Sequence, residues 1–133
     1  MDDSDLRSVE IILARRLMTN LATPAFLIDV GGLVFFNDAA AGAIGVRFEQ
    51  AMTMSPADWD TFVMPLDADG DRFPNEQIPL LIALHEERPA HCRLRVRLAS
   101  GDERHFEVSA VPIGGGEGAR GAMALFWESP APA

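Results

Sequence analysis

A chain of 133 residues, 48% of them apolar, has the length of one domain and enough apolar side chain for a single buried core. Its 20 acidic residues against 11 basic ones give a net charge of −9, which argues against nucleic acid and anionic membrane surfaces as partners, because both require a basic face. Every basic residue other than histidine is arginine, which excludes a lysine Schiff base and a P-loop, and the single cysteine, Cys92, excludes an intrachain disulfide or a cysteine-rich metal site.

The N-terminus, Met1 to Asp5, is acidic and lacks the basic-then-apolar order of a signal peptide. No apolar run approaches the roughly 20 residues of a membrane span. A reducing cytoplasm is the expected compartment. Asp5 to Leu21 is predicted to be a helix, capped by Ser4 or Asp5, with acids in its first turn where they suit the helix dipole. Leu6, Val9, Leu13, Leu17 and Leu21 form one apolar stripe at helical spacing. Ile11 and Met18 fall on a different face and are the candidate dimer interface. The plainer alternative is that these two are simply exposed.

Thr23-Pro24 ends the helix, since proline disfavours helix in the residue before it. Ala25 to Val30 and Leu33 to Phe36 read as two strands around Gly31-Gly32, a pair that supplies the positive φ of a tight hairpin. Neither strand alternates cleanly, so both faces are expected to be covered, one by the first helix and one by the segment after Asn37. Asn37 is a good N-cap for a helix over Asp38 to Ile44, and Gly45 a good C-cap.

Arg47 to Phe73 is the least regular region. Trp59, Phe62, Val63 and Met64 suggest a short helix starting near Ser55-Pro56, and Asp67 to Asp71 a turn. Pro74 to Glu87 is predicted to be a helix, with Pro79 in its first turn and Leu80, Leu81 and Leu84 as its buried stripe. In the last third, Cys92, Leu94, Val96 and Leu98 alternate with His91, Arg93, Arg95 and Arg97, and Phe106, Val108 and Ala110 alternate with His105, Glu107 and Ser109. Ser100-Gly101-Asp102 is the turn between these strands. Matching their faces places Glu107 opposite Arg93 or Arg95. The Gly114-Gly115-Gly116 loop leads to a closing strand, Gly121 to Glu128.

The segments LIDVGGLVFFNDAA, DADGDRFPNEQIPLLIAL, LRVRLASGDERHFEVSAVPI and GARGAMALFWE, in that order, resemble the opening hairpin, the turn and helix, the central hairpin and the last strand of PAS domains. The resemblance runs from Leu21 to Glu128. It implies an α+β fold: a five-stranded antiparallel sheet in the order 2-1-5-4-3, helices packed on one face, and an N-terminal flanking helix over the other. On this division residues 1–21 are a flanking dimerisation helix, 22–128 the PAS domain, and 129–133 a frayed tail.

The resemblance also implies a function without covalent chemistry: a sensory or interaction module, a homodimer that feeds a histidine kinase, a cyclase or a transcription factor and responds to a small ligand. A cavity can lie between sheet and helices in this family, and Phe26, Ile28, Phe36, Trp59, Phe62, Leu81, Leu84 and His85 are candidates to line it. Alternatively, they simply fill the space. The alternative function is a haem sensor, because haem-binding relatives carry a proximal histidine on the long helix, where His85 falls. Without such a role His85 is a polar residue near a helix C-terminus. Flavin photochemistry needs an Asn-Cys-Arg run on a helix, whereas Cys92 follows His91 on a predicted strand and reads as a core thiol.

Asp67, Asp69 and Asp71 resemble the start of a calcium loop, but Gly70 comes too early and the twelfth position is Ile78, so a solvated turn is the better reading. His91, His105 and Glu107 could meet on the exposed sheet face as metal ligands, though a polar surface is the simpler expectation. Asp58 and Asp60 flank Trp59 without forming a catalytic pair. No cofactor, metal site or enzymatic activity is expected, with haem as the alternative cofactor.

Overall fold

The computed structural model describes residues 9–52, 63–98, 100–114 and 120–129. In chain order these form α1 (Val9–Thr19), β1 (Ala25–Asp29), β2 (Gly32–Phe36), α2 (Asp38–Ile44), α3 (Phe48–Ala51), β3 (Val63–Leu66), a 3-10 turn (Asn75–Gln77), α4 (Pro79–Glu86), β4 (Ala90–Leu98), β5 (Glu103–Gly114) and β6 (Arg120–Glu128). The strands make one antiparallel sheet in the order β2-β1-β6-β5-β4-β3. The five strands expected from the sequence hold the expected relative order, and β3 adds a sixth at the far edge.

β3 corrects the reading of Val63 and Met64 as helical. Four residues containing a proline carry little strand signal. Pro65 is tolerated because β3 is an edge strand, where a missing N–H breaks no ladder. On its outer side the chain turns through Asp67 to Asp71 and returns, with Phe73 N–H donating to the Pro65 carbonyl at 2.9 Å. The predicted helix over Pro74 to Glu87 is likewise divided. Ile78 precedes a proline and is extended (ψ 122°), so the helix proper starts with Pro79 as its first residue.

The β1–β2 hairpin turns where expected. Asp29 Oδ1 accepts from Gly31 N–H at 2.8 Å, and Gly32 takes a φ of +119° that a side chain would disfavour. Both faces of β1 are covered. Ala25 and Leu27 face α1, while Phe26 and Ile28 face the helices on the opposite side. α2 is capped by Asn37, whose side chain accepts from Ala40 N–H, and it ends at Gly45 in the left-handed region.

α1 lies against the sheet, but with the opposite face to the one expected. Ile11 and Met18, read as partner-facing, are 1% and 0% exposed and pack on Ala25, Leu27 and Val34, whereas Leu13 and Leu17 are 57% and 56% exposed. Ile11, Ala14 and Met18 recur at helical spacing as a narrow stripe, and that narrowness suits a close seat. The seat is indeed close. A Cβ at Gly121 would stand 2.9 Å from the Ile28 carbonyl oxygen of β1 and 3.1 Å from Ile11 Cδ1, so a side chain there would strain the sheet and press on the Ile11 side chain.

On the other side of the sheet, α4 sets Ala83 and Leu84 on Ala110, Ala122 and Ala124, three small residues that permit close approach. α2 and α3 cover the neighbouring part of this face, with Ala40, Ile44 and Ala51 against Phe36, Leu94 and Phe126.

Candidate functional site: a cavity between sheet and helices

A cavity of about 710 Å³ lies between the sheet and the helices. β1 contributes Phe26 and Ile28, α4 contributes Leu81 and Leu84, and β5 and β6 contribute Phe106 and Phe126. These walls follow from local pattern. In β1, β5 and β6 the alternate residues point to one side of the sheet, and in α4 Leu81 and Leu84 are one turn apart on one helical face. The wall is predominantly apolar. Its polar side chains include Asp29, Arg72, Asn75 and His85, of which Arg72, Asn75 and His85 are exposed. A volume of this size lies within the range of small-molecule sites, and an apolar wall with a few polar groups is the usual composition of one.

The rings along the wall are in contact. Phe26 stacks on Phe126 at a centroid distance of 5.2 Å and an interplanar angle of 15°. Phe106 meets Phe126 edge-on at 5.3 Å, and Phe36 meets Phe26 edge-on at 5.3 Å. Such offset and edge-to-face pairs suit the ring quadrupole.

Of the residues expected at the cavity, Phe26, Ile28, Leu81, Leu84 and His85 line it. Phe36 does not. It is 1% exposed and packs behind Phe26, because its neighbours Phe26 and Phe48 occupy the space on either side. Trp59 and Phe62 lie outside the described residues, as do Asp58 and Asp60. Sequence reasoning missed Phe106 and Phe126 as wall residues, although the alternation of β5 already put Phe106 on the inward face.

The other candidates are placed elsewhere. Cys92 is half-buried on β4, and burial, with the Glu107 carboxylate as a lesser cause, pushes its thiol above the ordinary range, away from thiolate reactivity. His91 and His105 do not share a site. His91 is paired with Ser109, and His105 with Arg95, four positions further along β4 and roughly 13 Å away at strand rise. Glu107 instead holds His91 Nε2 at 3.0 Å and the Arg93 guanidinium at 3.0 Å, as the alternation of the two strands requires for Arg93. Asp67 Oδ1 accepts from the Asp69 and Asp71 N–H groups at 2.9 Å each, so this carboxylate organises its own turn. Among the described residues no group of three or more His, Cys, Asp or Glu side chains is arranged to hold a metal ion, and no helix is long and apolar enough to cross a membrane.

No protein-family model and no curated protein matches the sequence. Solved structures do match in shape. A PAS domain from a two-component sensor histidine kinase is 20% identical, with a TM-score of 0.56 over 95% of this chain and 99% of its own. The PAS domain of a protein from Colwellia psychrerythraea is 20% identical, with a TM-score of 0.61 over 89% of this chain and 97% of its own. A LOV protein from Rhodobacter sphaeroides is 16% identical, with a TM-score of 0.62 over 96% of this chain and 68% of its own. Sheet order, covering helices and these matches agree: the chain folds as a PAS domain.

Proposed function

We propose that this protein is a sensory PAS module that binds a small, mainly apolar ligand between its sheet and helices and transmits the event by a change in packing, with no covalent chemistry. The observation that carries the proposal is the cavity of about 710 Å³ with its predominantly apolar wall. A ligand that prefers one arrangement of that wall shifts the population toward it. The similarity to a PAS domain from a two-component sensor histidine kinase supports an effector of that kind, with a cyclase or a transcription factor as alternatives.

The module acts as a homodimer through the outward face of α1. Val9, Ile12, Leu13 and Leu17 are all exposed, and an apolar stripe on a two-fold axis meets its own copy. Native mass spectrometry of freshly purified protein tests both parts, since it reports bound mass and subunit number together. A monomer with no retained or added ligand overturns the proposal. Leu13→Glu combined with Leu17→Glu is expected to convert dimer to monomer in light scattering, and an unchanged mass overturns that surface.

A haem sensor is the second reading. His85 is the only histidine among the described residues that lines the cavity, and an imidazole on an apolar wall suits axial ligation. Titration with haemin decides it: a Soret band lost in His85→Ala supports haem, and a colourless protein removes it.

A further inference from the structure

The aromatic residues of the cavity wall do not end at the cavity. Phe106, Phe126, Phe26 and Phe36 form successive ring contacts on the cavity side of the sheet, at 5.3, 5.2 and 5.3 Å. Phe36 then meets Phe48 of α3 at 5.5 Å, and Phe48 meets Phe35 at 5.0 Å. Phe35 and Phe36 are consecutive residues of one strand and point to opposite faces of the sheet. Phe48 touches both because β2 is the edge strand, the place where a side chain can reach round from one face to the other. The row ends on α1: the Arg15 guanidinium stands 4.6 Å from the centroid of Phe35 and 5.8 Å from that of Phe48. A second hollow of about 430 Å³ lies beneath Arg15, and Leu33 and Met52 line both it and the main cavity.

α1 is thus held at three points along one side. Ile11 sits over Gly121, Arg15 over the Phe35 and Phe48 rings, and the Met18 carbonyl accepts from Asn37 Nδ2 at 3.0 Å. The outer two are fixed by backbone and by the α2 cap. The middle one rests on Phe35 of β2 at 4.6 Å and, at 5.8 Å, on Phe48 of α3, the ring that ends the row from the cavity.

We propose that this row of rings couples the cavity to α1 around the free edge of the sheet, with Arg15 as the positioning residue that receives the movement. The proposal rests on the cavity being a ligand site. A group pressing on Phe26 displaces Phe36, and closely packed rings pass the displacement on, because cores rearrange rather than compress. Phe48 then moves off Arg15, and the middle of α1 loosens.

The test is a mutant cycle on the full chain. Leu81→Trp places a bulky ring in the cavity as a covalent stand-in for a ligand. Hydrogen exchange of the α1 amides, taken relative to those of β5, is expected to quicken by about two- to fivefold, the span open to an exposed cation–π contact. The quickening should disappear in Arg15→Gln and in Phe48→Leu and persist in Arg15→Lys, which keeps the cation. An unchanged α1 in Leu81→Trp, or equal quickening with and without Arg15, overturns the coupling. Binding of the apolar dye anilinonaphthalene sulfonate to the unsubstituted protein is read separately: its failure overturns the ligand site, while the exchange cycle still decides the route.

Discussion

The Asn37 side chain joins four places in the chain, at Met18, Thr23, Ala25 and Ala40. Its Oδ1 accepts from Ala40 N–H at 3.0 Å, capping α2, and from Ala25 N–H at 3.1 Å, at the start of β1. Its Nδ2 donates to the carbonyls of Met18 and Thr23 at 3.0 and 2.9 Å, fixing the end of α1 and the segment that follows. The side chain is 2% exposed, so water cannot replace these partners. Asn37→Ala removes a cap and leaves buried donors and acceptors unpaired, for an expected loss of about 2–4 kcal/mol. The corresponding fall in the urea unfolding midpoint is about 1 M or more. Asn37→Asp keeps both acceptor bonds but turns a carboxylate oxygen toward two carbonyls, so it should also be destabilised at neutral pH. An alanine variant as stable as the parent contradicts this account. The cap was legible from Asn37 standing before a run of small residues. The bonds to Met18 and Thr23 were not, because they depend on how α1 enters the fold.

The elements divide by how local their causes are. The β4–β5 hairpin was legible because period-two alternation and a Ser-Gly-Asp turn limited its register to Arg93 or Arg95 opposite Glu107, and the structure pairs Arg93. β3 was hidden, since its stability comes from pairing with β4, 29 to 35 positions away in sequence. α1 was legible as a helix and misread in orientation. It carries two apolar faces, and the broader one, with Leu13 and Leu17, is the exposed one. The hairpin has a titratable consequence. The Arg95 guanidinium bonds to Glu103 Oε1 at 2.8 Å and, aided by its charge and that of Arg97, holds the Glu103 carboxyl below its ordinary value of 4.5. A carboxyl depressed in the folded state contributes stability above its ordinary value and loses it as pH falls through the lower, folded value. The contribution is small because the pair is in solvent. Carboxyl NMR is expected to show Glu103 titrating below 4.5, and Arg95→Gln should move the midpoint back up. Equal midpoints in the two proteins would contradict the assignment.

At the scale of the whole molecule, the apolar groups are shared between two packing problems. One side of the sheet is closed by α1 on Ala25, Leu27 and Val34, and the other by α2, α3 and α4 around the cavity. The second side was only half legible. Phe26, Ile28, Leu81 and Leu84 were identifiable from their elements, whereas Leu33 reaches the wall through the register shift between Leu27 and Ile28, and Met52 follows α3. A protein that lines about 710 Å³ of half-open space with apolar groups forgoes contacts it would otherwise make, so whatever binds there stabilises the fold by mass action. A ligand at 100 times its Kd adds about 2.7 kcal/mol. In a domain of this size that is a rise of about 10 °C in Tm. Leu81→Trp should raise Tm on its own by filling part of the same space and should reduce the rise that anilinonaphthalene sulfonate produces, since ring and dye compete for one volume. Scanning calorimetry of both proteins, with and without dye, measures the four midpoints. Additive shifts would mean that the dye binds elsewhere, and a lowered Tm in Leu81→Trp would mean that this wall has no room for a ring.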